Sequence, residues 1–157
     1  MNADTLAKAL NLAPHPEGGA YCETWRAAGA PGAARDQATG IHFMLRAGEV
    51  SRWHRVTSDE LWLWQGGDPL LLRRIDADGR LHDAWLGLGV TTGQRPQRLV
   101  AAGEWQAAVA PATGEHGWTL VGCVVAPGFD FADFSLATVD EMVERFPDLA
   151  GALALEL

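Results

Sequence analysis

The feature that most constrains this chain is its rhythm of short apolar runs closed by turn residues. Strand-like segments fall at about 20–26, 40–46, 51–56, 61–65, 70–75, 81–86, 97–101, 105–110 and 118–126. Gly18–Gly19, Gly66–Gly67–Asp68–Pro69, Asp76–Ala77–Asp78–Gly79 and Pro127–Gly128 are the clearest separators. Many short strands at regular turn spacing predict an antiparallel sandwich or barrel.

Helical periodicity is confined to the ends. Leu6 and Leu10 share one face of a helix over residues 4–11, and Pro14 and Pro16 are placed to stop it. Thr138–Val139–Asp140–Glu141 has the form of a capping box. Val139, Met142, Val143 and Phe146 follow at helical spacing, and Pro147 closes the run. Residues 27–34, made of Ala, Gly and Pro, read as a flexible surface loop. At 157 residues the chain suits one domain with a sizeable core.

Charge and motifs exclude several functions. Twelve basic against twenty acidic residues leave a formal charge of −8, which argues against a phosphate-backbone partner. Cys22 and Cys123 are too few for a disulfide framework and read as free thiols. The first ten residues lack the basic segment and long apolar stretch of a signal peptide, and no apolar run approaches bilayer length. The expectation is a cytoplasmic protein with no membrane or nucleic-acid partner. There is no Walker loop, Rossmann fingerprint, Gly-x-Ser-x-Gly elbow or Cys-x-x-Cys, and none of Ser51, Ser58 and Ser135 has a nucleophile context.

One stretch concentrates the chemistry. Gly48, His54, Glu60 and Gly67 stand at the spacing of the first motif of cupin barrels, with Val56 where a second histidine belongs. Around residues 101–106 the second cupin motif keeps Gly103 and has Gln106 in place of its histidine. Further signatures are His15–Pro16–Glu17–Gly18–Gly19, Ser58–Asp59–Glu60, Gly67–Asp68–Pro69–Leu70 and Gly103–Glu104–Trp105–Gln106. Together they run in order from about residue 11 to about 146, and the chain resembles the cupin branch labelled cupin family five. The resemblance implies an all-β double-stranded β-helix, the cupin jelly-roll barrel, as a single domain over 1–157 with a short helix near each terminus. It also implies a homodimer that packs or exchanges edge strands. Cys22, Trp25, Leu63 and Gln65 depart from the residues common in that branch.

His54, Glu60 and Gln106 would offer a metal one imidazole, one carboxylate and one neutral amide, a poor set for first-row ions. Neither metal nor cofactor is expected. A histidine beside a carboxylate in a partly apolar barrel suits proton transfer near neutral pH. The leading reading makes His54 the base or acid and Glu60 the group that tunes it, with Gln106 bonding a ligand. Glu60, Trp62 and Trp64 share one strand face, so Trp62 either stacks a ligand or fills the core. Tyr21 and His42 are further cavity candidates, and Arg26, Arg73 and Arg74 are candidates for an anionic group.

The His15–Gly19 segment has a sufficient structural reason in its Pro16 and paired glycines, with a role for His15 or Glu17 at the barrel mouth as the second reading. Phe129, Phe131 and Phe134 are expected to lie over the barrel, with Asp130 and Asp133 capping backbone amides. The expected function is binding of a small polar metabolite, with isomerase- or epimerase-like acid–base chemistry on a sugar-like compound. A metal-dependent, dioxygenase-like cupin and a non-catalytic binding or storage module are the alternatives.

Overall fold

Alternation along a strand decides which side chains two facing sheets can share. A computed structural model describes residues 1–154. Helix α1 (Ala3–Ala9) leads into β1 (Ala13–Pro14), β2 (Ala20–Ala27), β3 (Ala38–Arg46), β4 (Val50–Arg55), β5 (Asp59–Gly67) and β6 (Leu70–Ile75). Strands β7 (Leu81–Leu86), β8 (Gln97–Val100), β9 (Trp105–Val109), β10 (Trp118–Ala126) and β11 (Ser135–Leu136) follow, then α2 (Val139–Arg145) and α3 (Ala150–Leu153). The larger sheet has the order β1-β2-β3-β10-β5-β8 and the smaller the order β11-β4-β9-β6-β7. Pairing between the named strands is antiparallel throughout. This is the all-β jelly-roll barrel that the turn rhythm and the motifs lead one to expect.

Strand β10 runs down the middle of the larger sheet, with Cys123 opposite Ile41 of β3 on one side and Trp62 of β5 on the other. Inward-facing Phe43, Trp62, Val121 and Cys123 meet Leu72 and Ala108 of the smaller sheet in one buried cluster. Burying each large apolar side chain contributes about 1.5–3 kcal/mol. The outer face of the smaller sheet is covered by the C-terminal helices: Met142 and Leu153 pack on Trp53, Ile75 and Trp105. Helix α1 covers the larger sheet in the same way, with Leu6 against Met44 and Trp118. Among the described residues no helix is long and apolar enough to cross a membrane.

The ends of the helices follow their local chemistry. Thr138 accepts a hydrogen bond from the Glu141 amide at 3.2 Å, and the Glu141 carboxylate accepts one from the Thr138 amide at 2.7 Å. That reciprocal pair starts α2. Helix α1 ends differently from expectation, before either proline. Asn11 takes a left-handed conformation (φ 54°). The amides of Leu12 and Asn11 turn back onto the carbonyls of Ala7 and Lys8 at 2.9 and 3.3 Å. This Schellman closure ends the helix, and Pro14 instead enters the two-residue strand β1. Strands β1 and β11 and helix α3 are too short to carry a periodic signal.

The rings under α2 generate a test. Met142 is fully buried between the helix and the smaller sheet. Met142→Ala is expected to lower unfolding stability by about 2–5 kcal/mol. Urea unfolding followed by circular dichroism measures this, and a loss under about 1 kcal/mol would show that α2 is only loosely docked.

Candidate functional site

Parity alone would send Ser51 and His54 to opposite faces of a regular strand. The structure breaks parity. Strand β4 pairs with β9 through Ser51↔Ala108 and His54↔Gln106, so β4 spends three steps where β9 takes two. This bulge turns both Ser51 and His54 into the barrel, while Trp53 between them faces the helices.

A turn brings the second partner. The amide of Gly18 donates to the His15 carbonyl and that of His15 to the Gly19 carbonyl, both at 3.0 Å. Gly18 and Gly19 sit at φ +111° and +71°, and a side chain on Gly18 would strike the Val50 carbonyl. Two glycines therefore let the turn press flat against the start of β4. The Arg52 amide donates to the Glu17 carbonyl at 2.8 Å, and its guanidinium donates to the Pro16 and Glu17 carbonyls. Glu17 is delivered beneath Ser51 and His54.

The protons can then be assigned. His54 Nδ1 lies 2.7 Å from the Arg52 carbonyl oxygen, which can only accept, so Nδ1 carries hydrogen. Its Nε2 faces Glu17 Oε2 at 3.3 Å. Glu17 Oε1 accepts from the Ser51 hydroxyl at 2.7 Å. Burial pushes the Glu17 carboxyl up to about 8, against the opposing pull of Ser51 and Arg52. Burial also lowers His54, while the charge of Glu60 and the Arg52 carbonyl work the other way. Burial thus favours the protonated Glu17 carboxyl and the neutral His54 imidazole, whose facing atoms lie 3.3 Å apart.

His15 and Glu60 flank that pair. The Glu17 amide donates to His15 Nδ1 at 3.3 Å, and burial followed by the charge of His54 lowers His15 to about 4. His15 is therefore neutral at pH 7, and it packs edge-on against Tyr21 with centroids 4.5 Å apart. Across the site, Glu60 Oε2 accepts from Gln106 Nε2 at 2.6 Å. Trp62 Nε1, a donor only, binds Gln106 Oε1 at 2.8 Å, which fixes the amide in that orientation. Burial raises Glu60, with His54 opposing and Glu17 adding to the rise. The Cys123 thiol beside it is pushed well above its usual range, by burial first and by Glu60 second.

His15, Glu17, His54, Glu60 and Cys123 line a cavity of about 550 Å³ between the sheets, walled by Tyr21, Ile41, Phe43, Val56 and Val125 and capped by Phe129, Phe131 and Phe134. The sequence matches the family described as Cupin superfamily (DUF985) over residues 4–137. The chain belongs to the cupin superfamily. A structural-genomics protein from Shewanella oneidensis is similar at 38% identity and TM-score 0.89, over 98% of this chain and 95% of that one. A hypothetical protein from Leishmania major is similar at 33% identity and TM-score 0.87, over 98% and 97%. An oxalate decarboxylase from Bacillus subtilis shares the fold alone, at 12% identity and TM-score 0.60, over 92% of this chain and 36% of that one. No curated protein matches.

Cupin barrels raise the question of a metal, and the donors here do not fit one. Val56 offers only methyl groups, and both ends of the Gln106 amide are already bonded to Glu60 and Trp62. His54 Nε2 faces the Glu17 carboxyl at 3.3 Å, which burial holds toward its protonated form. Among the described residues, no group of three His, Cys, Asp or Glu side chains is arranged to hold an ion.

Several expected ligand contacts are corrected by the same geometry. Gln106 and Trp62 do not line the cavity; both are sealed in the core, where they bond each other. His42 points to the outer face of β3, 3.1 Å from Gln65 Oε1. Arg26 lies at the cavity mouth with its fork closed on Glu23 and its Nη1 on Asp36 at 2.7 Å. Arg73 and Arg74 are paired with Asp83 and Glu104, away from this cavity. Tyr21, His54 and Glu60 do line it, together with His15 and Glu17, whose motif reads equally well as a plain turn. The signal available for Glu17 was an acid set directly against a Gly–Gly pair, and it gives no hint of a partner 37 residues away.

The raised Glu17 sets a pH test with a definite sign. Its folded value exceeds its unfolded one, so the protonated form stabilises the fold, and that stability is lost as pH rises from 4.5 through about 8. His15 works oppositely, its contribution present above 6.5 and lost as pH falls through about 4. Between pH 6.5 and 8 the wild type is therefore expected to lose stability with rising pH, by up to about 1.4 kcal/mol per unit from Glu17. Glu17→Gln flattens that slope. Urea titrations across this window check it, and an unchanged slope would show that Glu17 ionises freely.

Proposed function

We propose that the cavity binds a small, uncharged, polar ring compound of the sugar class and moves a proton on it, as an isomerase or epimerase does. The carrying observation is a buried carboxyl and a buried imidazole, Glu17 Oε2 and His54 Nε2, set 3.3 Å apart at the floor of an aromatic-walled cavity. A carboxyl raised to about 8 beside an imidazole whose other nitrogen is fixed is an acid and a base held near operating pH. Once the pair gives its proton to the substrate it can take one from the opposite end of the same reaction. Glu60 flanks His54 and opposes the loss of basicity that burial imposes on it.

The lining also supports an uncharged ligand. Arg26 is closed on two carboxylates and burial holds both histidines toward neutrality, so among the described residues no free positive charge faces the cavity. An anionic group would enter without a partner. The rings of Tyr21, Phe43 and Phe134 present faces and edges to the C–H surface of a sugar-like ring, and the carboxyls reach its hydroxyls.

The test uses neutral monosaccharides, polyols and lactones, with sugar phosphates as the charged set. Binding is read by thermal shift and proton movement by ¹H NMR in D₂O. Neutral compounds are expected to bind and to exchange one carbon-bound proton. Glu17→Gln and His54→Gln are each expected to slow that exchange by about 10²–10⁴-fold with binding nearly kept. Preference for the phosphates would refute the uncharged ligand, and wild-type exchange in both variants would refute the proton transfer.

A further inference from the structure

Among the described residues, every arginine but one has an evident partner. Six are in ion pairs with carboxylates. Arg52 and Arg95 hold backbone carbonyls, and Arg55 and Arg145 lie over the Trp105 ring. Arg98 has none of these contacts. Its Nε is shut off from solvent and makes no hydrogen bond. A buried donor of a charged group without an acceptor costs stability, so the position calls for an explanation.

The topology shows where the guanidinium is directed. Arg98 stands on β8, the edge strand of the larger sheet, directly opposite Trp62 of β5. It shares the inward face with that indole and looks across to β6 and β7 at the matching edge of the smaller sheet. There it lines a cleft of about 320 Å³ with Leu72, Arg74, His82, Asp83 and Ala84. No residue of this cleft lines the cavity that holds Glu17 and His54.

The other charges around the cleft are compensated. Asp83 accepts from Arg73 Nε and Nη2 at 2.9 and 3.2 Å, and His82 Nε2 lies 2.7 Å from Asp76 Oδ2. Arg74 meets both Glu104 oxygens through a single nitrogen, Nη1, at 2.9 and 3.1 Å. Its remaining donors have no side-chain or backbone acceptor among the described residues. The positive charge left over in the cleft is that of Arg98, backed by the uncommitted donors of Arg74.

We propose that this cleft between β7 and β8 is a second binding site, for a small molecule bearing an oxyanion, a carboxylate or a phosphate. The terminal nitrogens of Arg98 make no hydrogen bond among the described residues and, unlike Nε, are not shut off from solvent, so their donors can match two oxygens of such a group and neutralise the charge. Arg74 completes the grip from the opposite sheet, and Leu72 and Ala84 supply an apolar floor for a short carbon skeleton. On a chain of charge −8, diffuse attraction of anions is unfavourable, so saturable binding reports a built site.

Inorganic phosphate and malonate are titrated into the full chain at fixed ionic strength, with sodium chloride as the control. Calorimetry gives the affinity, and ¹H–¹⁵N spectra give the location. One site per chain is expected, with amide shifts centred on Leu72, Ala84 and Leu99. Arg98→Gln should weaken it at least tenfold and Arg98→Lys by less, since lysine keeps the charge and loses the fork. Saturation by phosphate alone assigns a phosphorylated ligand, and by malonate alone a carboxylic acid. Arg98→Gln should also melt at or above the wild-type temperature in anion-free buffer, because an unpaired buried donor is removed. Absence of saturable binding by either anion, unchanged affinity in Arg98→Gln, or a clear fall in its melting temperature would overturn the proposal.

Discussion

The contact on which the site depends is the turn at Gly18–Gly19 lying against the bulged start of β4. Each half is useless without the other. Without the bulge, Ser51 and His54 could not both face inward. Without the paired glycines, the turn could not approach the Val50 carbonyl closely enough to set Glu17 beneath them. The Arg52 amide and guanidinium lock the two together through the Pro16 and Glu17 carbonyls. The proton assignment of His54 follows from the same residue, because the Arg52 carbonyl decides which ring nitrogen carries hydrogen.

The replacement of usual ligand positions by Val56 and Gln106 has a consequence beyond the loss of donors. Gln106 is oriented by an indole N–H that can only donate, so its own N–H must point at Glu60. A histidine at that position could have turned a lone pair to the barrel centre. The glutamine instead extends the hydrophobic core through Trp62 and leaves Glu60 as an acid in an apolar setting, its ionisation resisted by burial.

Much of the fold was legible because turn residues and β-rich runs are local signals. The nine longer strands and the capped helix α2 could be read from neighbours in sequence. His54 and Glu60, both in the cavity lining, were legible from motif spacing. Glu17 was legible only as the second reading of its turn motif, because its partner is a residue 37 positions later that only a bulge turns toward it. Gln106 and Trp62 were misread as ligand contacts for the related reason that facing the barrel interior and facing the cavity are different things. Strand parity separates inside from outside, but it cannot say which inside residues consume one another's hydrogen bonds. His42 points away from the cavity toward Gln65, whereas Arg26 does line the cavity mouth but with its guanidinium already paired to Glu23 and Asp36.

Four titratable side chains buried within one cavity floor are an expensive arrangement for a barrel with ample apolar material. A purely structural plug at the same place would be served by Leu and Val, as it is a few residues deeper at Leu72 and Val121. The groups survive there because each compensates a neighbour: Ser51 and His54 for Glu17, Gln106 for Glu60, the Arg52 carbonyl for His54. Such a network tolerates one mobile proton and no free charge. That condition suits proton exchange with a neutral ligand and works against both anion binding and metal capture. Departures from the local rules of core building tend to mark functional sites, and in this barrel they converge on the Glu17–His54 pair, as the proposed proton transfer requires.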